Sequence, residues 1–64
     1  MRVNGIIISL NESQSLFDFL EGQNYDITKI AVERNGEIVP KSTYKNLMLD
    51  DEDTLEIVRF VGGG

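Results

Sequence analysis

Two Asn-Gly pairs, Asn4-Gly5 and Asn35-Gly36, constrain this chain more than any other feature of its sequence. A two-residue hairpin turn of type I′ needs φ > 0 at both central positions, which Asn and Gly tolerate and β-branched residues do not. Around the first pair, Met1 and Val3 alternate with Arg2, and Ile6, Ile7, Ile8, Ser9 and Leu10 follow. With a period of two, Ile6, Ile8 and Leu10 are expected to face a core. Around the second pair, residues 29–34 predict a strand with Ile30 and Val32 buried, and Glu37, Ile38 and Val39 run back beside it. Pro40 ends that return, because proline has no N–H to give to a ladder.

Between the hairpins the spacing turns helical. Leu16, Phe19 and Leu20 fall at i, i+3 and i+4 with Asp18 and Glu21 left outside. Ser13 or Ser15 offers an N-cap and Gly22 a C-cap. So short a helix is unstable alone and must lie on a sheet. Tyr25 and Ile27 are expected to dip inward from the loop that follows. Residues 41–47 predict a helical turn capped by Ser42 or Thr43 and pinned by Tyr44 and Leu47. Residues 50–53, Asp-Asp-Glu-Asp, make a charged turn, and residues 54–60 a last strand with Leu55 and Ile57 buried. Hairpin, helix, hairpin, turn and strand let the last strand lie parallel beside the first, with the helix over one face. That is the α+β β-grasp, or ubiquitin-like, arrangement: a mixed sheet of four to five strands with one main helix packed on one face. The expected organisation is one domain over residues 1–60 and a flexible glycine-rich tail over 61–64.

Such a fold must stand on packing alone. The chain has 64 residues and no cysteine or histidine, so neither a disulfide nor a Cys/His metal site can reinforce it. Without thiolate or imidazole there is no ordinary nucleophile and no side chain whose usual pKa lies near neutrality. An autonomous enzyme is not expected, nor is a resident cofactor. A net charge of −5 argues against a nucleic-acid partner, which wants a basic stripe. No apolar run approaches a membrane span or follows Met1 as a signal peptide would require, so no membrane association and a cytoplasmic setting are expected.

Function is then sought at the end of the sequence, Val61-Gly62-Gly63-Gly64. Glycine loses the most entropy on ordering and packs no side chain, so three in succession do not serve a core. Four extended residues reach roughly 13–14 Å, enough to thread a narrow channel and deliver a terminal carboxylate to another protein. A carboxylate is a poor electrophile and needs activation, for which acyl-adenylate formation by an ATP-using partner is the obvious route. From these residues alone, a frayed end without a role remains open.

Asn4-Gly5, the run Ala31-Val32-Glu33-Arg34-Asn35-Gly36-Glu37-Ile38-Val39-Pro40, the acidic turn and Phe60-Val61-Gly62-Gly63-Gly64 together resemble the ThiS family of sulfur carriers of thiamine biosynthesis. The likeness spans essentially the whole chain. It implies that a ThiF-type enzyme uses ATP and magnesium to adenylate the carboxylate of Gly64. A cysteine desulfurase relay would then supply the sulfur of a thiocarboxylate, which thiazole synthase would take into the thiazole ring. Val61, Gly62 and Gly63 would thread into those partners. Glu52 departs from a glycine common in the family's turn, and Ile6-Ile7 from a charged pair. Other readings stay open: the small subunit of molybdopterin synthase, a ubiquitin-like protein modifier, or a plain interaction module.

A carrier also needs a docking surface. If Leu55 and Ile57 point inward, alternation sends Val58 and Phe60 outward beside the tail, and Ile7 is expected to extend that patch. The run from Asp50 to Asp53 lacks the alternating ligands, central glycine and late glutamate of a calcium loop, so a solvated turn is expected there, with Asp51 and Asp53 bonding local N–H groups.

Overall fold

β1 (Arg2–Val3) and β2 (Ile6–Ile7) form the first hairpin, with Asn4 at φ 50 and Gly5 at φ 83 in its turn. The second joins β3 (Ile30–Arg34) to β4 (Glu37–Ile38) through Asn35 at φ 51 and Gly36 at φ 87. Both turns carry the pair of positive φ angles that their sequence requires. β5 (Thr54–Arg59) enters between the hairpins, parallel to β1 and antiparallel to β3, giving a mixed sheet in the order β2-β1-β5-β3-β4. This is the expected β-grasp topology. The structure is a computed structural model and describes residues 1–60; the expected tail at 61–64 lies outside the described residues.

Each asparagine of the two turns also ties its hairpin to β5. Asn4 accepts the Ile57 N–H on Oδ1 at 2.7 Å and donates from Nδ2 to the Ile57 carbonyl at 3.3 Å. Asn35 accepts the Thr54 N–H at 2.9 Å and donates to Asp53 at 3.1 Å. Replacing Asn4 with glycine keeps the left-handed turn and removes only the bridge to Ile57. Asn4→Gly is therefore expected to cost about 1–2 kcal/mol, seen as a lower urea midpoint at unchanged m-value.

The helix α1 (Leu16–Gly22) buries Leu16, Phe19 and Leu20 as its spacing predicts. Its free N–H groups are all accounted for: Leu16 donates to the Leu47 carbonyl, Phe17 to the Tyr44 carbonyl, and Asp18 to the Ser15 hydroxyl. A segment remote in sequence thus caps the helix together with Ser15. The C-terminal expectation needs correcting. Gly22 is the last helical residue, and the left-handed position is Asn24 at φ 64, from which Tyr25 reaches back to the Leu20 carbonyl at 3.0 Å. Asparagine adopts that conformation more readily than most residues because its short polar side chain clashes little and can hydrogen-bond locally.

The core consists of Met1, Val3, Leu16, Phe19, Leu20, Ile30, Val32, Tyr44, Leu49, Leu55 and Ile57. Ile8, Leu10, Tyr25, Ile27 and Leu47 pack partly buried against it, but Ile6, expected inside, is 66% exposed. Ile6 lies opposite Val3 on the outermost strand. A helix of seven residues is about 10 Å long and cannot cover a sheet some 19 Å wide. The 3-10 turn Lys41–Thr43 also departs from expectation, since neither Ser42 nor Thr43 caps it: Pro40 leads in without a side-chain cap, and Thr43 donates its hydroxyl to the Pro40 carbonyl. The Tyr44 hydroxyl is buried without a hydrogen-bond partner of good geometry.

The acidic turn is not simply solvated. Asp53 is buried and accepts hydrogen bonds from Arg34 Nε at 2.9 Å, Asn35 Nδ2 at 3.1 Å and the Asp50 N–H at 2.9 Å. Asp51 does stay exposed, and its Oδ1 accepts from the Leu10 N–H and the Met1 amine. Of the local N–H bonds expected, Asp53 makes one; most of its partners come from the neighbouring hairpin.

Candidate functional site

The site is the end of β5 and the sheet face around it. β5 alternates in burial from Thr54 to Val58: Leu55 and Ile57 are buried, while Thr54, Glu56 and Val58 are exposed, and Arg59 at its end is exposed too. Val58 is 58% and Phe60 47% exposed, so both stand outside where the alternation places them. The Phe60 N–H still donates to the Lys29 carbonyl at 3.0 Å, so the last described residue is held by the residue that leads into β3. Residues 61–64, including Gly64 as the expected point of covalent modification and Val61, Gly62 and Gly63 as the expected thread, lie outside the described residues.

Basic side chains gather at this end. The Lys41 ammonium lies 5.5 Å from the centre of the Phe60 ring, and the Arg59 guanidinium 5.1 Å from that of Tyr25. Lys29 and Arg59 line an open groove of about 340 Å³ with Asn24, Asp26, Ile30 and Phe60. Asp26 caps the 3-10 turn Ile27–Lys29, and the Thr28 hydroxyl and N–H that it binds hold its pKa below the ordinary 3.8. Three of the chain's six basic residues therefore surround the root of the tail in a protein of net charge −5. Sequence reading missed this cluster, since the three come from separate loops and β5; only the pairing of Lys29 with Phe60 brings them together.

Ile7 is 73% exposed but is not brought to the tail. It pairs with Arg2, and Arg2 with Thr54, at the start of β5 rather than its end. At about 3.3 Å per residue, Val58 lies some 13 Å and Phe60 some 20 Å further along. Ile7 instead lines a shallow polar depression with Arg2, Asp51 and Thr54. The reason is topological: the outer position of β2 and the parallel register of β1 set Ile7 at the opposite corner of the face.

Among the described residues, no group of three or more Asp and Glu side chains is placed to hold a metal ion, and no helix is long and apolar enough to cross a membrane. Among the described residues the arrangement offers a sheet and an exposed apolar pair, Val58 and Phe60, at the end of β5.

Comparison with known proteins gives a consistent result. The sequence profile of the ThiS family matches residues 1–64. The chain is 45% identical over 62 residues to a protein of Paramagnetospirillum magneticum named thiazole synthase, a match covering 97% of this chain and 19% of that one. It is 40% identical over 53 residues to the sulfur carrier protein ThiS of Bacillus subtilis, covering 83% of this chain and 80% of that one. The crystal structure of a thiamine biosynthesis protein, ThiS, from Geobacter metallireducens superposes with a TM-score of 0.82 at 27% identity, covering 98% of this chain and 96% of that one. Two thiazole synthases it matches are far longer: the chain spans 19% and 20% of their lengths.

Proposed function

The chain belongs to the ThiS family, and from that premise we propose that it is a sulfur carrier protein of thiamine biosynthesis, working through the carboxylate of Gly64. The observation that carries this reading is the likeness to a sulfur carrier over four-fifths of that protein's length, 80%, combined with the sequence Val61-Gly62-Gly63-Gly64 that follows the central strand and Phe60. The carrier is a protein substrate and sulfur donor, and the catalysis belongs to its partners.

In this cycle a ThiF-type enzyme binds ATP with magnesium, and an oxygen of the Gly64 carboxylate attacks the α-phosphorus as pyrophosphate leaves. The resulting acyl-adenylate has AMP as a good leaving group. The terminal sulfur of a persulfide from a cysteine desulfurase relay displaces AMP to give an acyl disulfide. A thiol then attacks the relay's sulfur to form a disulfide and release the thiocarboxylate, and the thiocarboxylate gives its sulfur to thiazole synthase. Matches within longer thiazole synthases support a close working relation between carrier and synthase. The 64 residues contain no cysteine, which is compatible with sulfur carried on a terminal carboxylate. The reading sets the protein in the cytoplasm with these enzymes.

Incubation with a ThiF-type enzyme, ATP, magnesium and a sulfur source, followed by intact mass spectrometry, tests it. The expected product is heavier by one oxygen-to-sulfur exchange. Conjugation to a lysine of another protein would instead indicate a modifier, and an unchanged mass beside a working control carrier would remove the proposal. Delivery to molybdopterin synthase rather than thiazole synthase would redirect the acceptor step.

Val58 and Phe60 supply the docking contact next to the tail in this reading. Phe60→Asp is expected to lower kcat/KM for adenylation roughly tenfold or more, as loss of an aromatic anchor does. The midpoint of thermal unfolding should move by only about 2 °C, because Phe60 lies outside the core. Unfolding of this variant would reassign Phe60 to the structural framework.

A further inference from the structure

Positive charge gathered at the end of β5 is left uncompensated by the folded body. Lys29 and Arg59 line the groove of about 340 Å³ beside Phe60, and the Lys41 ammonium lies over the Phe60 ring. Among the described residues the ion pairs are Met1 with Asp51 and Arg34 with Asp53, so none of these three cations is in one. Asp26 is the one acid lining the groove, and its Oδ1 already accepts the Thr28 N–H and hydroxyl. Stacking on Tyr25 holds the Arg59 guanidinium in place, and Ile30 and Phe60 give the groove apolar surface. The groove is thus ready for an anionic segment that brings little side-chain bulk.

A segment of that description begins at the groove's own wall. Phe60 lines the groove, and Val61-Gly62-Gly63-Gly64, outside the described residues, follow it in sequence. We propose that these four residues are the groove's occupant when no partner is bound: the tail turns back beside Phe60 and its terminal carboxylate pairs with Lys29 and Arg59. The role of this contact rests on the carrier function proposed above, in which Gly64 bears the free carboxylate. Four residues reach roughly 13–14 Å when extended, ample for a groove that Phe60 itself borders. Glycine takes the φ > 0 angles of a chain reversal without strain, and three in succession bring no side chain to clash. The volume lies at the lower end of the roughly 300–1,000 Å³ typical of small-ligand sites. Two cations against Asp26 leave the rim net positive, which favours an anion. Ion pairs between exposed groups are weak, so the contact is populated for part of the time and readily given up. A partner that covers Phe60 takes away one wall of the groove and frees the tail to enter its active site. Carboxylate and thiocarboxylate are both anions at neutral pH, so the same groove shields the sulfur-loaded end between donor and acceptor.

Proton and nitrogen NMR of the 64-residue chain at neutral pH tests this without any enzyme. Nuclear Overhauser contacts are expected from the α-protons of Gly63 and Gly64 to the side chains of Asn24 and Ile30, which are remote from them in sequence. Converting the Gly64 carboxylate to a carboxamide changes no side chain. It is expected to shift the backbone amides of Lys29, Ile30 and Arg59 and to weaken those contacts at least about threefold. Lys29→Gln combined with Arg59→Gln should weaken them as much, and so should about 0.5 M salt, which screens exposed charges. Unshifted amides of Val32 and Ile57 report an intact sheet in each case; if the double variant loses it, the carboxamide decides alone. Lys45→Gln removes a cation that stands over Phe17, away from the groove, and should change nothing. Absence of the contacts in the parent, their survival in the carboxamide, or an equal loss in Lys45→Gln would each overturn the inference. The contacts are read apart from adenylation, so a parent that shows them but is not adenylated loses the proposed function, and one that is adenylated without them loses the parked tail alone.

Discussion

Deletion of Gly64 is expected to reduce thiocarboxylate formation by at least about a hundredfold, and a carboxyl-terminal amide at Gly64 to abolish it, with the fold intact in both. Deletion moves the reacting carboxylate back by one residue, about 3.3 Å, whereas a misplacement near 1 Å already costs about a hundredfold in a positioned reaction. The amide replaces the anionic carboxylate with a neutral carboxamide, whose oxygen is too weak a nucleophile to attack the α-phosphorus. Core packing ends at Ile57 and the last backbone bond described is that of Phe60 to Lys29, so neither change touches what holds the sheet together. Intact mass after incubation with the activating enzyme reads the first effect, and the unfolding midpoint, expected within about 2 °C of the parent, reads the second. A large fall in that midpoint would make the glycines part of the scaffold and remove their role as a carrying arm.

Asp53→Ala has the opposite profile. It is expected to cost about 2–4 kcal/mol, a large share of the stability of a domain this small. Asp53 is 4% exposed and joins three parts of the chain: Arg34 of β3, Asn35 of the second hairpin turn, and the Asp50 N–H of its own turn. Truncation leaves the Asp50 N–H and the Asn35 amide without their acceptor, and it frees Arg34. The upper end of the range for breaking a buried pair is not reached, because the Arg34 side chain is 32% exposed and water can take over part of its solvation. Urea unfolding at neutral pH measures the loss.

The same carboxylate shapes the acid limb. Burial pushes the Asp53 pKa up, but the Arg34, Asp50 and Asn35 donors together outweigh it and hold the pKa below the ordinary 3.8. A carboxylate with a depressed folded-state pKa binds protons more readily when unfolded. Its contribution is therefore complete above about pH 4 to 5 and is lost as pH falls through the folded-state value. Asp51, lowered by the Leu10 N–H and then by the Met1 amine, adds to the same limb. Stability of the parent should fall as the pH drops below about 4 to 5, and Asp53→Ala should show a shallower slope there. An equally steep slope in the variant would place the acid sensitivity elsewhere.

Asp53 also shows where sequence reasoning stops. Asp50-Asp51-Glu52-Asp53 looks like four equivalent solvated charges, and nothing local separates the last from the others. The partners that bury it arrive from β3 and its turn, brought by the antiparallel pairing of β3 with β5. Glu33 and Glu56 are likewise unremarkable 23 positions apart until Val32 is set against Ile57 and the next pair falls carboxylate against carboxylate. Ile7 fails for a related reason: its outward direction is read correctly, but its corner of the face depends on which strand lies beside which.

What the chain's own residues determined are the features governed by neighbours in sequence: both left-handed Asn-Gly turns, the buried helical face of Leu16, Phe19 and Leu20, and the inward Leu55 and Ile57 that turn Val58 outward. These follow from allowed φ angles and from periods of 3.6 and two, which need no knowledge of the partner surface. Tertiary structure alone decided the bridges from Asn4 and Asn35 to β5, the capping of α1 by carbonyls of Tyr44 and Leu47, the burial of Asp53 and the facing glutamates. Each is a contact between residues remote along the chain, fixed by strand order and register, and a hydrogen bond or a charge has its consequence only once its partner is within a few ångströms.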